Sequence, residues 1–168
     1  MNIRNESVND WAAVRLVNSL AFGREDEGAL IDALREKGTI ICSLVAELDG
    51  QIAGHALFSP AALIDRGNEM VVAALGPVAV RPEYQGHGIG TALILAGLEI
   101  CRERGFPLAI VLGHPGYYPR FGFRPSRPLG IRWEHDAPEE AFMVLELQEG
   151  TLAGAGGVIR YQPEFDGV

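Results

Sequence analysis

An α/β fold of the α+β kind, a mixed central sheet flanked by helices, is what this 168-residue sequence predicts, on three observations. Two apolar runs, 43–48 and 51–58, are joined by Asp49-Gly50, the strongest short signal for an antiparallel hairpin. The run "MVVAALGPVAV", 70–80, is nearly unbroken in small and β-branched residues, the pattern of a central strand buried on both faces. A glycine-rich turn, a helical stretch and the apolar "PLAIVLG" follow it. Strand, helix, strand in that order is a right-handed crossover, which places the two strands parallel and adjacent.

The other elements fill in around this frame. "DWAAVRLVNSLAF" opens with Asp10 as an N-cap and repeats apolar residues at Val14, Val17 and Leu20 or Ala21, which is helical spacing. "DEGALIDALREKG" carries Leu30, Ile31 and Leu34, acids early, bases late and Gly38 beyond the last turn, so it reads as a second helix. In the central run, Gly76-Pro77 is the anomaly. Proline has no N–H for a ladder and an interior glycine marks a bulge, so this strand should lose one neighbour about midway. The helix "GIGTALILAGLEICRERG" shows a stripe of Ile94, Leu98 and Cys101, widened by Leu93, Ala96 and Ile100, with Gly105 as its stop. "AFMVLEL" and "GVIRYQP" add strands near the end. No repeat or linker divides the chain, which reads as one domain, 1–168.

Composition excludes several function classes. With 48% hydrophobic and 21% charged residues the chain can bury a sizeable core. Cys42 and Cys101 sit in apolar segments without metal-ligand spacing; they read as buried thiols of a cytoplasmic protein, and no metal is expected. The first ten residues lack a signal-peptide core and no run approaches a membrane span, so no membrane partner is expected. A net charge of −8 without a Lys/Arg stripe argues against nucleic acid. Any phosphate must then be held by local dipoles.

Residues 85–90 suit that task. Gly86, Gly88 and Gly90 let the main chain curl at the start of a helix, where successive N–H groups and the helix dipole favour an anion. The same glycines would equally serve a tight turn and close packing of helix on strand. The spacing is not the G-x-G-x-x-G of dinucleotide folds, and no Gly-Lys-Ser/Thr of a P-loop is present.

Gln85-x-x-Gly88-x-Gly90 after a bulged strand resembles the pyrophosphate motif of the GNAT superfamily of N-acetyltransferases. Residues 74–94, "ALGPVAVRPEYQGHGIGTALI", are similar throughout, and "YYPRFGF", 117–123, resembles the superfamily's Tyr-x-x-x-Gly-Phe signature. Within it the YhbS-like group of predicted acyltransferases is the nearest likeness, over roughly residues 3–166. The resemblance implies a GNAT fold with a bulged, splayed central strand. It also implies acetyl-CoA as acyl donor, its pantetheine arm beside Val78, Ala79 and Val80 and its pyrophosphate on Gln85, Gly86, His87, Gly88, Ile89, Gly90 and Thr91.

By the same likeness Tyr118 is the acid that protonates the CoA sulfur. The base is less visible, because 70–80 holds no ionisable side chain; His114, at the end of the following strand, is the candidate, and it reads equally as a turn-forming residue before Pro115. Glu69 and His55 read as solvated or satisfied polar groups, and Arg81 as a solvated arginine. The acceptor is an unidentified amine of a small molecule or protein, and Arg132, Trp133 and "EHDAPEE" line its pocket or lie at the surface. A longer acyl-CoA, an acyl carrier protein donor and a non-catalytic acyl-CoA sensor are the alternatives. A homodimer is left open.

Overall fold

The computed structural model describes all residues, Met1 to Val168. Nine strands and three helices follow one another as β1 (Asn2–Asn5), α1 (Trp11–Phe22), α2 (Asp26–Lys37), β2 (Cys42–Leu48), β3 (Gln51–Asp65), β4 (Asn68–Val80), α3 (Ile89–Glu103), β5 (Leu108–Leu112), β6 (Arg124–Pro125), β7 (Ile131–Trp133), β8 (Phe142–Glu146) and β9 (Gly157–Arg160). The chain forms two compact units. One is Met1–Ser59, Gly76–Glu99 and Pro163–Val168; the other is Pro60–Leu75 and Ile100–Gln162. Both cysteines are buried thiols without a disulfide, and no helix is long and apolar enough to cross a membrane.

In the first unit the strand order is β1-β2-β3-β4. Asp49 and Gly50 both take positive φ, 52° and 77°, the two-residue turn that matches strand twist, and Cys42–Leu48 pair antiparallel with Gln51–Phe58. The helical stripes expected from periodicity are buried as one cluster: Val14 and Val17 of α1, Leu30, Ile31 and Leu34 of α2, with Val45, Ile52, Leu57 and Ala79 from the sheet. Gly38 ends α2 in the left-handed region at φ 77°.

Two features depart from expectation. Asp10 occupies the N-cap position of α1 but makes no cap bond to it. Its carboxylate accepts from the Ser7 amide (2.7 Å) and from both terminal nitrogens of Arg4 (2.7 and 3.0 Å) instead. Arg4 sits on β1, a four-residue edge strand with one apolar residue and hence no alternation to announce it. β3 also runs past 58 to Asp65 and turns through Arg66-Gly67, again with both φ positive, at 52° and 81°.

The second unit holds the ends of β3 and β4 that meet at this turn. β5 lies parallel to β4, with Ala73, Ala74 and Leu75 opposite Ala109, Ile110 and Val111, as the crossover required. The parallel ladder stops at Leu75. The next residues are Gly76, at φ 140°, and Pro77, the pair expected to interrupt it. β8 pairs antiparallel with all of β5, β6 adds to β8, β9 to β3 and β7 to β9. Leu63, Val72, Ala74, Leu108, Ile110, Ile131, Phe142, Val144 and Ile159 form its core.

α3 lies on the sheet of the first unit through a missing side chain. A Cβ at Gly97 would overlap the ring of Phe58, itself fully buried on β3. On an exposed helix Gly→Ala gains about 1 kcal/mol of helix propensity. Here the sign should reverse. We expect Gly97→Ala to destabilise by roughly 1–3 kcal/mol through overpacking, read in thermal unfolding as about 2–4 °C of Tm for each kcal/mol; an unchanged or raised Tm would contradict the seating.

Candidate active site

The Arg81 amide donates to the Ala53 carbonyl on β3 at 2.8 Å. Peptide groups alternate along a strand, so the main-chain groups of Ala79 face β3 and those of Val78 and Val80 face away from it. Val80 O accepts from the Gln85 side chain (3.0 Å), which ties the strand's end to the turn. Between them a short 3-10 turn, Pro82–Tyr84, has proline at its first position, where no N–H is needed. His87 donates from Nδ1 to Tyr84 O at 3.2 Å, an acceptor that fixes the proton on that nitrogen. Arg81 is held by Glu83 at 2.8 Å.

The three glycines of this turn do different things. Gly86 and Gly88 have φ of 80° and 83°, and a Cβ at either would meet nothing within 4 Å. They permit a left-handed curl, and no protein atom needs the space they leave. Gly90 lies in the first turn of α3 without a positive φ. Amides at a helix start have no carbonyl four residues earlier to bond to, so the curl ends in a row of donors at the positive end of the α3 dipole. Close packing falls to a residue that the motif reading passed over. A Cβ at Gly54 on β3 would lie 2.9 Å from Ile89, 3.0 Å from Leu93 and 3.2 Å from the Ala79 carbonyl. Glycine inside the strand was its only sequence signal.

His114 and Tyr118 belong to the second unit, and 78–91 to the first. β5 ends at Leu112, and the Gly113 amide donates to Ala141 O at 2.9 Å. The His114 carbonyl then accepts from the amides of Tyr117 (3.0 Å) and Tyr118 (3.3 Å), so its backbone builds the turn while its side chain is exposed. A Cβ at Gly113 would overlap the Tyr118 ring; its absence lets the phenol fold back over the strand end. Tyr118 packs edge-on against Tyr117 and Phe123, with centroids at 5.1 and 5.9 Å. Burial, with Tyr117 adding, pushes its phenol up to about 12, so it keeps its proton at neutral pH.

His55 is a satisfied core residue. Its ring is fully buried on β3; Asn18 Nδ2 donates to Nδ1 at 3.2 Å, which leaves Nε2 as the donor to Ser43 Oγ at 2.8 Å. Glu69 is exposed near the start of β4.

The acetyltransferase (GNAT) domain family matches residues 2–126. The Escherichia coli (strain K12) uncharacterized N-acetyltransferase YhbS is 32% identical over 167 residues, 99% of either chain. The uncharacterized N-acetyltransferase YjhQ, from the same strain, is 40% identical over 154 residues, 87% of this chain and 85% of that one. The crystal structure of E. coli YhbS in complex with CoA superposes with a TM-score of 0.92 at 31% identity, covering 98% of this chain and 91% of that one. A GNAT family acetyltransferase from Brucella melitensis in complex with acetyl-CoA gives 0.80 at 37% identity, covering 98% and 97%.

The buried imidazole makes a pH prediction. Burial, with the Arg35 charge adding, lowers His55 from its usual 6.5 to about 3. The unfolded chain therefore binds a proton below 6.5 that the folded chain refuses until about 3. Stability from this group is complete above 6.5 and falls on acidification through that window, with a slope approaching 1.4 kcal/mol per pH unit. In NMR titration the His55 ring signal should stay flat from pH 8 to about 5; a midpoint near 6.5 would contradict the buried, neutral ring.

Proposed function

Because the chain belongs to the acetyltransferase (GNAT) family, we propose that it transfers an acetyl group from acetyl-CoA to an amine, in a reducing, cytoplasmic setting that suits two buried cysteines without a disulfide. The observation that carries this reading is the curl at Gly86 and Gly88: two left-handed glycines, with open space where side chains would stand, directly before the start of α3. Such a curl suits a pyrophosphate held by main-chain N–H groups. Gln85, His87, Ile89, Gly90 and Thr91 complete it. The outward-facing peptide groups of Val78 and Val80, past the end of the β4–β5 ladder, suit the amides of a pantetheine arm, with Ala79 buried between them. The relatives whose crystal structures contain CoA and acetyl-CoA support this choice of donor.

Tyr118 takes the acid's role. Its raised pKa keeps a proton available for the sulfur that leaves the thioester. His114, exposed just beyond the C-terminal end of β5, is the candidate to take the acceptor's proton through water. That help matters most for a lysine-like amine, which is neutral in only about 1 of 2,500 molecules at pH 7.

Two experiments test the reading. Gly88→Val places an L side chain at φ 83° and fills the curl; calorimetry should show acetyl-CoA affinity falling by about tenfold or more while circular dichroism still reports the fold. Unchanged affinity would remove the cradle. For the chemistry, CoA release with an amine panel should fall about a hundredfold in Tyr118→Phe with donor affinity unaltered. In the same assay His114→Ala should lower kcat/KM for the amine with donor affinity unaltered. Equal turnover would release either residue from its role, and faster release from longer acyl-CoAs would change the donor.

A further inference from the structure

From Arg104 to Trp133 the chain holds five arginines and no Asp or Glu, although acids outnumber bases by 22 to 14 overall. Two of these arginines, Arg127 and Arg132, line one small cleft in the second unit, together with Ser126, Trp133, His135, Glu139 and Phe142. Neither makes an ion pair. By contrast Arg160, nearby in the same unit, is held by Glu134 at 3.2 Å. Arg127 follows β6 and Arg132 is the middle residue of β7, so short regular elements place both at the cleft rather than a long loop.

The wall between them is stiff. Trp133 stacks on the buried Phe142 at 6.0 Å and 8°, and meets the His135 ring edge-on at 5.1 Å. Its indole N–H is buried and has no acceptor. Two guanidinium groups without carboxylates and a single opposing acid, Glu139, make a donor-rich lining whose fixed ionic side chains sum to +1, and the unpartnered indole N–H belongs to a residue of that wall. The inner space is ≈ 20 Å³, about that of one water-sized group. That suits the oxygens of one planar carboxylate better than a tetrahedral phosphate. Guanidinium and indole N–H are the donors such a group takes, and charge-assisted bonds are the strong ones.

We propose that this cleft is a carboxylate subsite and, resting on the acetyltransferase reading above, that the amine acceptor carries a carboxylate which the cleft holds. The acceptor class is thereby narrowed to free amino acids and other small amines that carry a carboxylate.

The indole N–H signals give a direct readout, since Trp11 and Trp133 are the only tryptophans and Trp133→Phe assigns them. At constant ionic strength, sodium acetate should shift the Trp133 signal saturably and leave Trp11 still, while acetamide should shift neither. Arg132→Gln should weaken acetate by about tenfold and Arg127→Gln in the same direction. Both side chains are exposed, so both variants should keep the spectrum of the folded chain. No shift with acetate, an equal shift with acetamide, a response to inorganic phosphate alone, or arginine variants that bind acetate as well as the parent would each overturn the subsite. With acetyl-CoA present, β-alanine should show a lower KM than β-alaninamide, and Arg132→Gln should close that gap. Absence of turnover with every amine would count against the transfer reading only, and the indole titration would still decide the cleft.

Discussion

α3 can rest where it does only because two side chains are missing beneath and within it. Gly54 leaves room on β3 for Ile89 and Leu93, and Gly97 leaves room on the helix for the Phe58 ring. Packed interiors have no slack for an extra methyl, so these positions set how near the helix start comes to the end of β4. That nearness decides where the first amides of α3 point. Gly86 and Gly88, just before that start, are then free for conformation alone: they turn the chain and leave space over the backbone.

The charges of the first unit are disposed to the same end. All its arginines are engaged: Arg4 by Asp10 and Glu47, Arg15 by Glu25 and Asp32, Arg24 by Glu27, Arg35 by Glu6, Arg81 by Glu83. The exposed pairs among them, such as Arg15 with Glu25, add little stability. Their consequence is that an acidic chain keeps no unclaimed guanidinium in this unit, and an anion there must rely on main-chain dipoles. The second unit is the opposite case, with Arg127 and Arg132 unpaired on one cleft.

Burial assigns protons in both units. His55 and Tyr118 are removed from water by packing, and each is held in its neutral form, the imidazole by a lowered pKa and the phenol by a raised one. Neutrality makes His55 a core hydrogen-bonding group between Asn18 and Ser43. The same neutrality leaves Tyr118 a donor. His114, four residues earlier, stays in solvent because its carbonyl, rather than its ring, is what the turn uses.

Local chemistry made much of this legible from the residues alone. The Asp49-Gly50 hairpin, the stripes of α1, α2 and α3, the parallel pairing across the crossover and the interruption at Gly76-Pro77 all follow from backbone preferences and periodicity within a few residues. The glycine curl and Tyr118 were legible as a motif. β1, β6 and β7 were not: they have two to four residues each without the adjacent β-branched pair, Val158-Ile159, that marked β9, and they exist only through their partners. Nor was Asp10's partner, because a carboxylate suited to a cap binds whichever donors the fold brings, and here β1 brings Arg4. The roles of Gly54, Gly97 and Gly113 were decided by tertiary structure alone: a missing Cβ has meaning only against the atom that takes its place, and Ile89, Phe58 and the Tyr118 ring reach those places through packing that no local pattern encodes.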